Sequence, residues 1–414
     1  MKDLIRRPKD VTSKPFLVIW ETTQACDLAC LHCRASAVTE PHPLSLTGEQ
    51  AEMLLRDITD FGRPYPLLVF TGGDPFKRED LPSLIRYARQ LGLHVGVSPS
   101  ATPLLTMESL ARVKEAGAST VSLSLDGASA ASHDGFRGVE GSFSLTMSAC
   151  RWALELGLKL QINTTLGPHN LDELIELAAI VTRYRVMTWS IFLLVPTGRG
   201  ESLRTLSPLE IEAIMHVLAE MSEYLPLKTT EGHHYKRVLA MRQVLREMGL
   251  DPAKALQLPP LYFELSQAWL ARVKEACIAP RAAARRTPMH INSGDGFVFV
   301  SHLGHVYPSG FLPISAGNVR ERSLVEIYRE SPLFCDLREP GMLSGRCGGC
   351  EFKKLCGGSR SRAYAVHGDP LAEDPSCAYQ PGSFPYPKEL DEYLQRERHE
   401  HRKSDLEVNH VPTT

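Results

Sequence analysis

No uninterrupted apolar run in this 414-residue chain approaches the ~20 residues that a membrane helix needs. The first residues, Met1-Lys2-Asp3-Leu4-Ile5-Arg6-Arg7-Pro8, lack the apolar h-region of a secretory signal. A cytoplasmic protein with no membrane partner is expected. An excess of either charge is also missing: 46 Lys and Arg stand against 48 Asp and Glu, which removes the electrostatic case for nucleic acid as a partner. Cysteine, in contrast, is plentiful at ten residues. Without an export signal, its clustering reads as metal binding in a reducing compartment and not as a disulfide framework. The chain exceeds the ~250 to 300 residues at which single cores stop growing, so one large domain plus a smaller one is expected.

Cys26, Cys30 and Cys33 are spaced C-x3-C-x2-C. Three thiolates cannot close a four-coordinate site. A [4Fe-4S] cluster normally takes four cysteines, so three leave one iron open to chelation by a small molecule. Zinc is the alternative, although its structural sites close with four ligands and usually pair their cysteines as C-x2-C. His32 directly precedes Cys33 and would complete such a set only in awkward geometry.

From about residue 15 to 225, short β-branched or apolar runs alternate with helical patterns, as in parallel βα units. The strand candidates are 16–20, 67–70, 94–97, 120–125, 159–163 and 188–195, with amphipathic segments between them. Six units are too few for a closed eight-stranded barrel, so the pattern predicts an open, partial (β/α)6 barrel of TIM type. Function in such sheets gathers on loops leaving the strand C-termini. The cysteine loop, Gly72-Gly73-Asp74-Pro75, Ser98-Pro99-Ser100, Asp126-Gly127, Asn163-Thr164-Thr165 and Pro196-Thr197-Gly198-Arg199-Gly200 all fall on that edge.

Residues 226–276 read as a mostly helical insertion. Its Glu231-Gly232-His233-His234-Tyr235 places paired histidines in a polar loop, expected to be solvated unless they line a substrate entrance. From 277 to 385 a small Cys-rich α+β module is expected, with a hairpin over 297–300 and 305–307 and a short helix over 324–329. A C-terminal helix and flexible tail complete the chain over 386–414, frayed and disordered from Gln395 onward. Cys347, Cys350, Cys356 and Cys377 form a closed set of four that suits structural zinc or a fully ligated [4Fe-4S] cluster equally. Nearby glycines suit a loop that turns backbone amides toward sulfur. Cys150, Cys277 and Cys335 are expected to be small buried hydrophobes.

Taken together, the two cysteine sets resemble the radical S-adenosylmethionine (radical SAM) enzymes that carry a C-terminal SPASM or twitch extension. Gly72-Gly73-Asp74-Pro75 is similar to the GGE motif of that superfamily, with Asp for Glu. The resemblance implies that Cys26, Cys30 and Cys33 hold a cluster whose open iron chelates S-adenosylmethionine. Reductive cleavage would then yield a 5′-deoxyadenosyl radical that abstracts a substrate hydrogen. It further implies that Gly72, Gly73 and Asp74 hold the methionine ammonium, and that Ser124, Asp126, Arg137 and Asn163 contact the ribose and carboxylate. A reduced flavodoxin or ferredoxin-type donor is implied as electron source.

The full SPASM pattern has seven cysteines and two auxiliary clusters. Here Ser309 and Arg360 stand at two of those cysteine positions, so the resemblance implies one auxiliary [4Fe-4S] cluster, on Cys347, Cys350, Cys356 and Cys377, and two clusters in all. The segment from Cys356 to Cys377 looks most like the tetrapyrrole-modifying members of d-type haem synthesis and the alternative haem pathway. An anionic tetrapyrrole would need cationic partners, for which Arg360 and Arg362 are candidates. The rival substrate is a ribosomally made peptide. The roughly fifteen residues before the first strand leave no room for the N-terminal peptide-binding domain that such maturases often carry. A zinc-stabilised binding scaffold is the non-enzymatic rival.

Overall fold

The computed structural model describes residues 11–281 and 291–396. A single ten-stranded sheet organises them: β1 (Leu17–Glu21), β2 (Leu67–Thr71), β3 (His94–Val97), β4 (Thr120–Ser124), β5 (Lys159–Leu166), β6 (Thr188–Leu193), β7 (Leu227–Thr230), β8 (Phe297–Val300), β9 (His305–Tyr307) and β10 (Gly317–Asn318). Spatial order is β10-β9-β8-β1-β2-β3-β4-β5-β6-β7. Pairing is parallel from β8 through to β7, and β9 and β10 add antiparallel. The sheet stays open, a mixed α/β architecture with the parallel barrel core that the βα pattern predicts.

Several of the helices that follow the strands begin at a residue whose side chain bonds their own first turn. Thr47, Thr106 and Ser207 close capping boxes with Gln50, Ser109 and Glu210. The helix-facing side of the sheet is apolar. Val18, Trp20, Leu68, Phe70, Val95 and Val97 pack in one core with Leu54, Leu55, Ile58, Leu84 and Ile85. Trp189, Ile191 and Leu193 join a second core with Ile211, Ile214 and Leu218. Strand side chains alternate, so Ser122, Ser124, Gln161, Asn163, Ser190 and Phe192 face the other way, into the barrel. Across β4 to β6 that inner face is largely polar.

Three elements depart from the sequence reading. Within the stretch read as helical, β7 pairs with β6. The helix Ala130–Arg137 was not anticipated between the fourth strand and the helix Ser142–Glu155. Third, β8 does not stay within a separate module: it pairs in parallel with β1, Leu17 opposite Phe297. An open barrel leaves the β1 edge unpaired, and β8 covers it while burying Val298 and Val300 in the same core as Val18 and Trp20.

Leu324, Ile327 and Phe334 join the core of β1, whereas the later C-terminal segment packs on the helix His234–Glu247. Ala240, Met241, Val244 and Leu245 share a core with Phe352, Tyr379, Phe384 and Leu390. The histidine pair is therefore not solvated: His234 is fully buried and His233 half-buried, because both start the helix on which this region sits. Cys150 is buried as expected, whereas Cys277 and Cys335 are exposed. The tail expected after Gln395 lies outside the described residues, apart from Gln395 and Arg396 at the end of a helix over 387–396. Among the described residues no helix is long and apolar enough to cross a membrane.

Candidate functional site

The cysteine loop leaves β1 and is held by main chain from three other strand ends. After β2, Gly73 and Asp74 donate their N–H groups to Thr23 O and Ala25 O at 2.7 and 2.6 Å. This contact is why Gly73 is glycine: a Cβ there would lie 2.4 Å from Ala25 O. After β4, the helix Ala130–Arg137 presents its last carbonyls, Arg137 O to Ala29 N and Phe136 O to Leu31 N, at 3.1 and 2.9 Å. That helix ends on Gly138 at φ +70°, where a Cβ would meet Ala29 O at 2.7 Å. After β6, Arg199 N donates to Cys33 O at 3.0 Å. The close approach expected of the Gly-Gly turn is thus an approach to the chain's own loop, which takes up the N–H groups of Gly73 and Asp74.

Asp74 is fully buried. Its carboxylate accepts from Thr102 Oγ1 at 2.6 Å and from Phe76 N at 3.1 Å, while Ser100 Oγ donates to Gly73 O at 2.6 Å. Burial raises the Asp74 carboxyl above its ordinary value, against the opposing hydrogen bond from Thr102. The side chain props the turn.

Asp126 and Arg137, expected as ligand contacts, are partners of one another. Burial alone would raise Asp126, but the Arg137 guanidinium beside it opposes burial, and the carboxyl is held below its usual range. Thr165 N donates to Asp126 Oδ1 at 2.6 Å, and Arg137 Nη1 reaches Cys30 Sγ at 3.6 Å. A single guanidinium therefore ties the fourth strand end to the middle cysteine. Ser124 and Asn163 are directly paired in register across β4 and β5. Gln161 Nε2 donates to Asn163 Oδ1 at 2.7 Å, and Asn163 lies within β5, not at its end. A cavity of about 250 Å³, lined by Leu28, Ser100, Ser124, His133 and Arg137 among others, opens between these groups.

His32, weighed from sequence only as a fourth zinc ligand, has neighbours beside the loop that were not singled out. His32 stacks on Phe136 at 4.5 Å and Phe136 on His169 at 3.7 Å. Burial pushes His32 down to about 3, so it is neutral. Arg34 donates to Glu21 at 2.9 Å and lies over Phe299 at 4.3 Å. His302 sits 3.1 Å from the same carboxylate. Nothing in a one-dimensional pattern pairs Glu21 with a histidine 281 residues later.

The second set, Cys347, Cys350, Cys356 and Cys377, lines one cavity of about 450 Å³, mouth included, with His234, Arg237, Arg346, Gly358 and Asp374. Backbone amides do turn toward sulfur: Gly358 N to Cys356 Sγ and Asp374 N to Cys347 Sγ, both at 3.4 Å. Burial pushes Cys350 up to about 11 and Cys356 to about 12, so neither is a thiolate without a cation to hold. Both ring nitrogens of His234 are buried without a hydrogen bond. All seven motif cysteines are free of disulfides. Among the described residues no three or more His, Cys, Asp or Glu side chains are arranged to hold a single ion. Thiols ringing a cavity with amides aimed at sulfur fit a polynuclear iron–sulfur group, and the loop of three fits one with an open iron.

Arg360 and Arg362 are not available to a substrate. Both are buried: Arg360 donates to Pro370 O and Ala372 O at 2.9 and 2.7 Å, and Arg362 to Ser376 Oγ at 3.0 Å and Asp374 at 3.3 Å. Internal carbonyls and Asp374 need these cations, which corrects the expectation that they face a tetrapyrrole.

Residues 20–181 match the Radical SAM superfamily. The chain is 35% identical over 374 residues to the AdoMet-dependent heme synthase of Methanosarcina barkeri, spanning 90% of this chain and 99% of that protein. The chain belongs to the radical SAM superfamily. It is also 38% identical to the AdoMet-dependent heme synthase of Nitratidesulfovibrio vulgaris, over 88% of this chain and 92% of the relative, and it groups with this haem-biosynthesis family of radical SAM enzymes. In fold it resembles Streptococcus suis SuiB bound to S-adenosylmethionine, with a TM-score of 0.61 at 17% identity, over 89% of this chain and 78% of the other. Such SPASM-type neighbours support the C-terminal extension. A radical SAM enzyme uses a [4Fe-4S] cluster and S-adenosylmethionine, and the SPASM type carries an auxiliary cluster in addition.

Proposed function

We propose that this radical SAM enzyme oxidises or removes carboxylate-bearing side chains of a tetrapyrrole by hydrogen abstraction inside the open barrel. The observation that carries the reading is the aromatic lining of that interior. Phe192 on β6 faces Phe311 at 6.2 Å, both half-buried, which offers a flat apolar surface to a flat macrocycle; Tyr307, half-buried, stands against the buried Phe299 ring at 6.2 Å. Identity over nearly the full length to proteins named haem synthases supports the same substrate class.

In this reading Cys26, Cys30 and Cys33 hold the cluster with the open iron. The carbonyls of Gly72 and Gly73 accept from the methionine ammonium, with Asp74 supporting their turn. Ser124 and Asn163 meet the ribose hydroxyls, and Arg137, steadied by Asp126, meets the carboxylate. When bound, the cluster and S-adenosylmethionine supply one-electron cleavage of the sulfonium bond and, with it, hydrogen abstraction. Cys347, Cys350, Cys356 and Cys377 hold a closed cluster able to take the electron that side-chain oxidation releases.

The test is anaerobic incubation of reconstituted protein with S-adenosylmethionine, dithionite, and a panel of carboxylated iron porphyrins and short peptides, read by mass spectrometry. Formation of 5′-deoxyadenosine in step with a mass change on a porphyrin supports the proposal. Turnover of a peptide with every porphyrin untouched would sink it.

A further inference from the structure

Lys228 stands in the middle of β7 on the barrel side of the sheet. Its neighbour Leu227 packs on the helix-facing core, and alternation turns Lys228 the other way. Its register partner Ser190 also faces inward, since Ser190 Oγ meets Thr230 Oγ1, two residues past Lys228, at 3.2 Å. The pairs Ser124 with Asn163, Asn163 with Ser190 and Ser190 with Lys228 form one continuous row across β4 to β7. At about 4.8 Å per strand, the lysine lies about 14 Å along the wall from Ser124. Phe192, diagonal to it on β6, belongs to the aromatic lining.

A lysine on an edge strand ordinarily projects outward and deters strand addition, and solvent does reach Lys228. Yet its pKa is lowered by burial alone, which an outward-facing lysine would escape. Solvent access within surrounding protein describes a side chain on the wall of an open lumen. Among the described residues no carboxylate pairs with its ammonium. Other interior cations are neutralised: Arg34 by Glu21 and Arg137 by Asp126. An ammonium on that wall with no counter-ion beside it is open to a ligand that brings the opposite charge.

We propose that Lys228 is the anchor for a carboxylate of the substrate, fixing one side of the macrocycle while a side chain on the opposite side meets the ribose end of the row. This rests on the tetrapyrrole reading and adds to it a named anionic subsite and an orientation. A substrate must then be long enough to span the row from Lys228 to Ser124, and must carry a carboxylate at the far end from the reacting side chain.

The experiment titrates an iron porphyrin bearing free propionates, and its methyl ester, into anaerobically reconstituted wild type, Lys228→Met and Lys228→Arg, following the porphyrin absorption band. Loss of a charge-assisted hydrogen bond of about 1.5–3 kcal/mol corresponds to roughly 10- to 150-fold weaker binding. The acid should bind K228M that much more weakly than wild type, the ester should bind both equally and weakly, and K228R should restore most of the affinity for the acid. Equal loss in K228M and K228R, or wild-type affinity for the acid in K228M, overturns the anchor while leaving the tetrapyrrole reading intact. Failure of both porphyrins to bind wild type overturns that reading and the anchor together.

Discussion

Glu231 accepts a hydrogen bond from Ser309 at 3.2 Å, joining the end of β7 to the C-terminal extension. The same carboxylate takes Ser361 Oγ at 2.9 Å and Ser359 Oγ. Ser309 stands where the seven-cysteine SPASM pattern has a ligand. There this chain has a buried acid satisfied by three serine hydroxyls. Ser309→Cys should therefore leave the iron content of reconstituted protein at about eight per chain, two cubanes. Glu231→Ala, which strands the three donors, should destabilise the fold by about 1–3 kcal/mol for each hydroxyl left unpaired. Iron assay and anaerobic urea unfolding check the two outcomes.

The two thiol sets are separable. Replacing Cys26, Cys30 and Cys33 together by Ala should lower iron from about eight to about four per chain and abolish 5′-deoxyadenosine formation. Stoichiometric zinc in an iron-free protein would contradict the assignment of both sites.

Gly73→Ala should have nearly the iron phenotype of the triple cysteine variant without touching a thiol. Its Cβ would sit 2.4 Å from Ala25 O and 2.6 Å from Gln24 O, both main-chain atoms that cannot step aside without moving the segment that leads into Cys26. The auxiliary cluster, built on other elements, should remain at about four irons. An iron count near eight in G73A would show that the loop accommodates the methyl group.

Arg137→Met should destabilise the protein by about 3–5 kcal/mol, because it leaves the Asp126 carboxylate buried and uncompensated. Adding Asp126→Asn should recover a large part of that loss. If the double variant is no more stable than R137M in urea, the ion pair is not what Arg137 contributes to the fold.

His133 gives a pH dependence of defined sign. It is almost fully buried, and burial, with Arg137 acting in the same direction, pushes it down to about 4 from an ordinary 6.5. Below pH 6.5 the unfolded chain binds a proton that the folded chain refuses until about pH 4, so stability falls as pH falls through that window and is level above it. Between pH 6.5 and 5.5 the wild type should lose about 1 kcal/mol more than His133→Gln. Parallel urea midpoints for the two proteins would refute the assignment.

Much of the barrel was legible because its determinants are local. Alternation within β1 to β6, a turn after each strand and a cap before most helices can each be read within a few residues. The helix Ala130–Arg137 hid among serines, glycine and charges, although Ser129 at its start and Gly138 at its end were available signals. β7 hid because Leu227–Thr230 is only four residues long and carries a lysine, a residue depleted in strands.

The cysteine spacing narrowed the first site to an open cluster or zinc, and the second cysteine set with the Gly-Gly turn turned the reading to the cluster. Ligand number and the order of donors along a short loop are properties of covalent sequence, and three thiols with a Gly-Gly turn after the next strand leave little else to hold. Other facts waited on the tertiary structure: that Asp126 and Arg137 satisfy one another, that Arg360 and Arg362 face inward, that Glu231 occupies the serines, and that Lys228 has no counter-ion among the described residues. These depend on which distant groups burial brings within a few ångströms. A buried charge takes whatever partner the fold places beside it, and no local pattern records that choice.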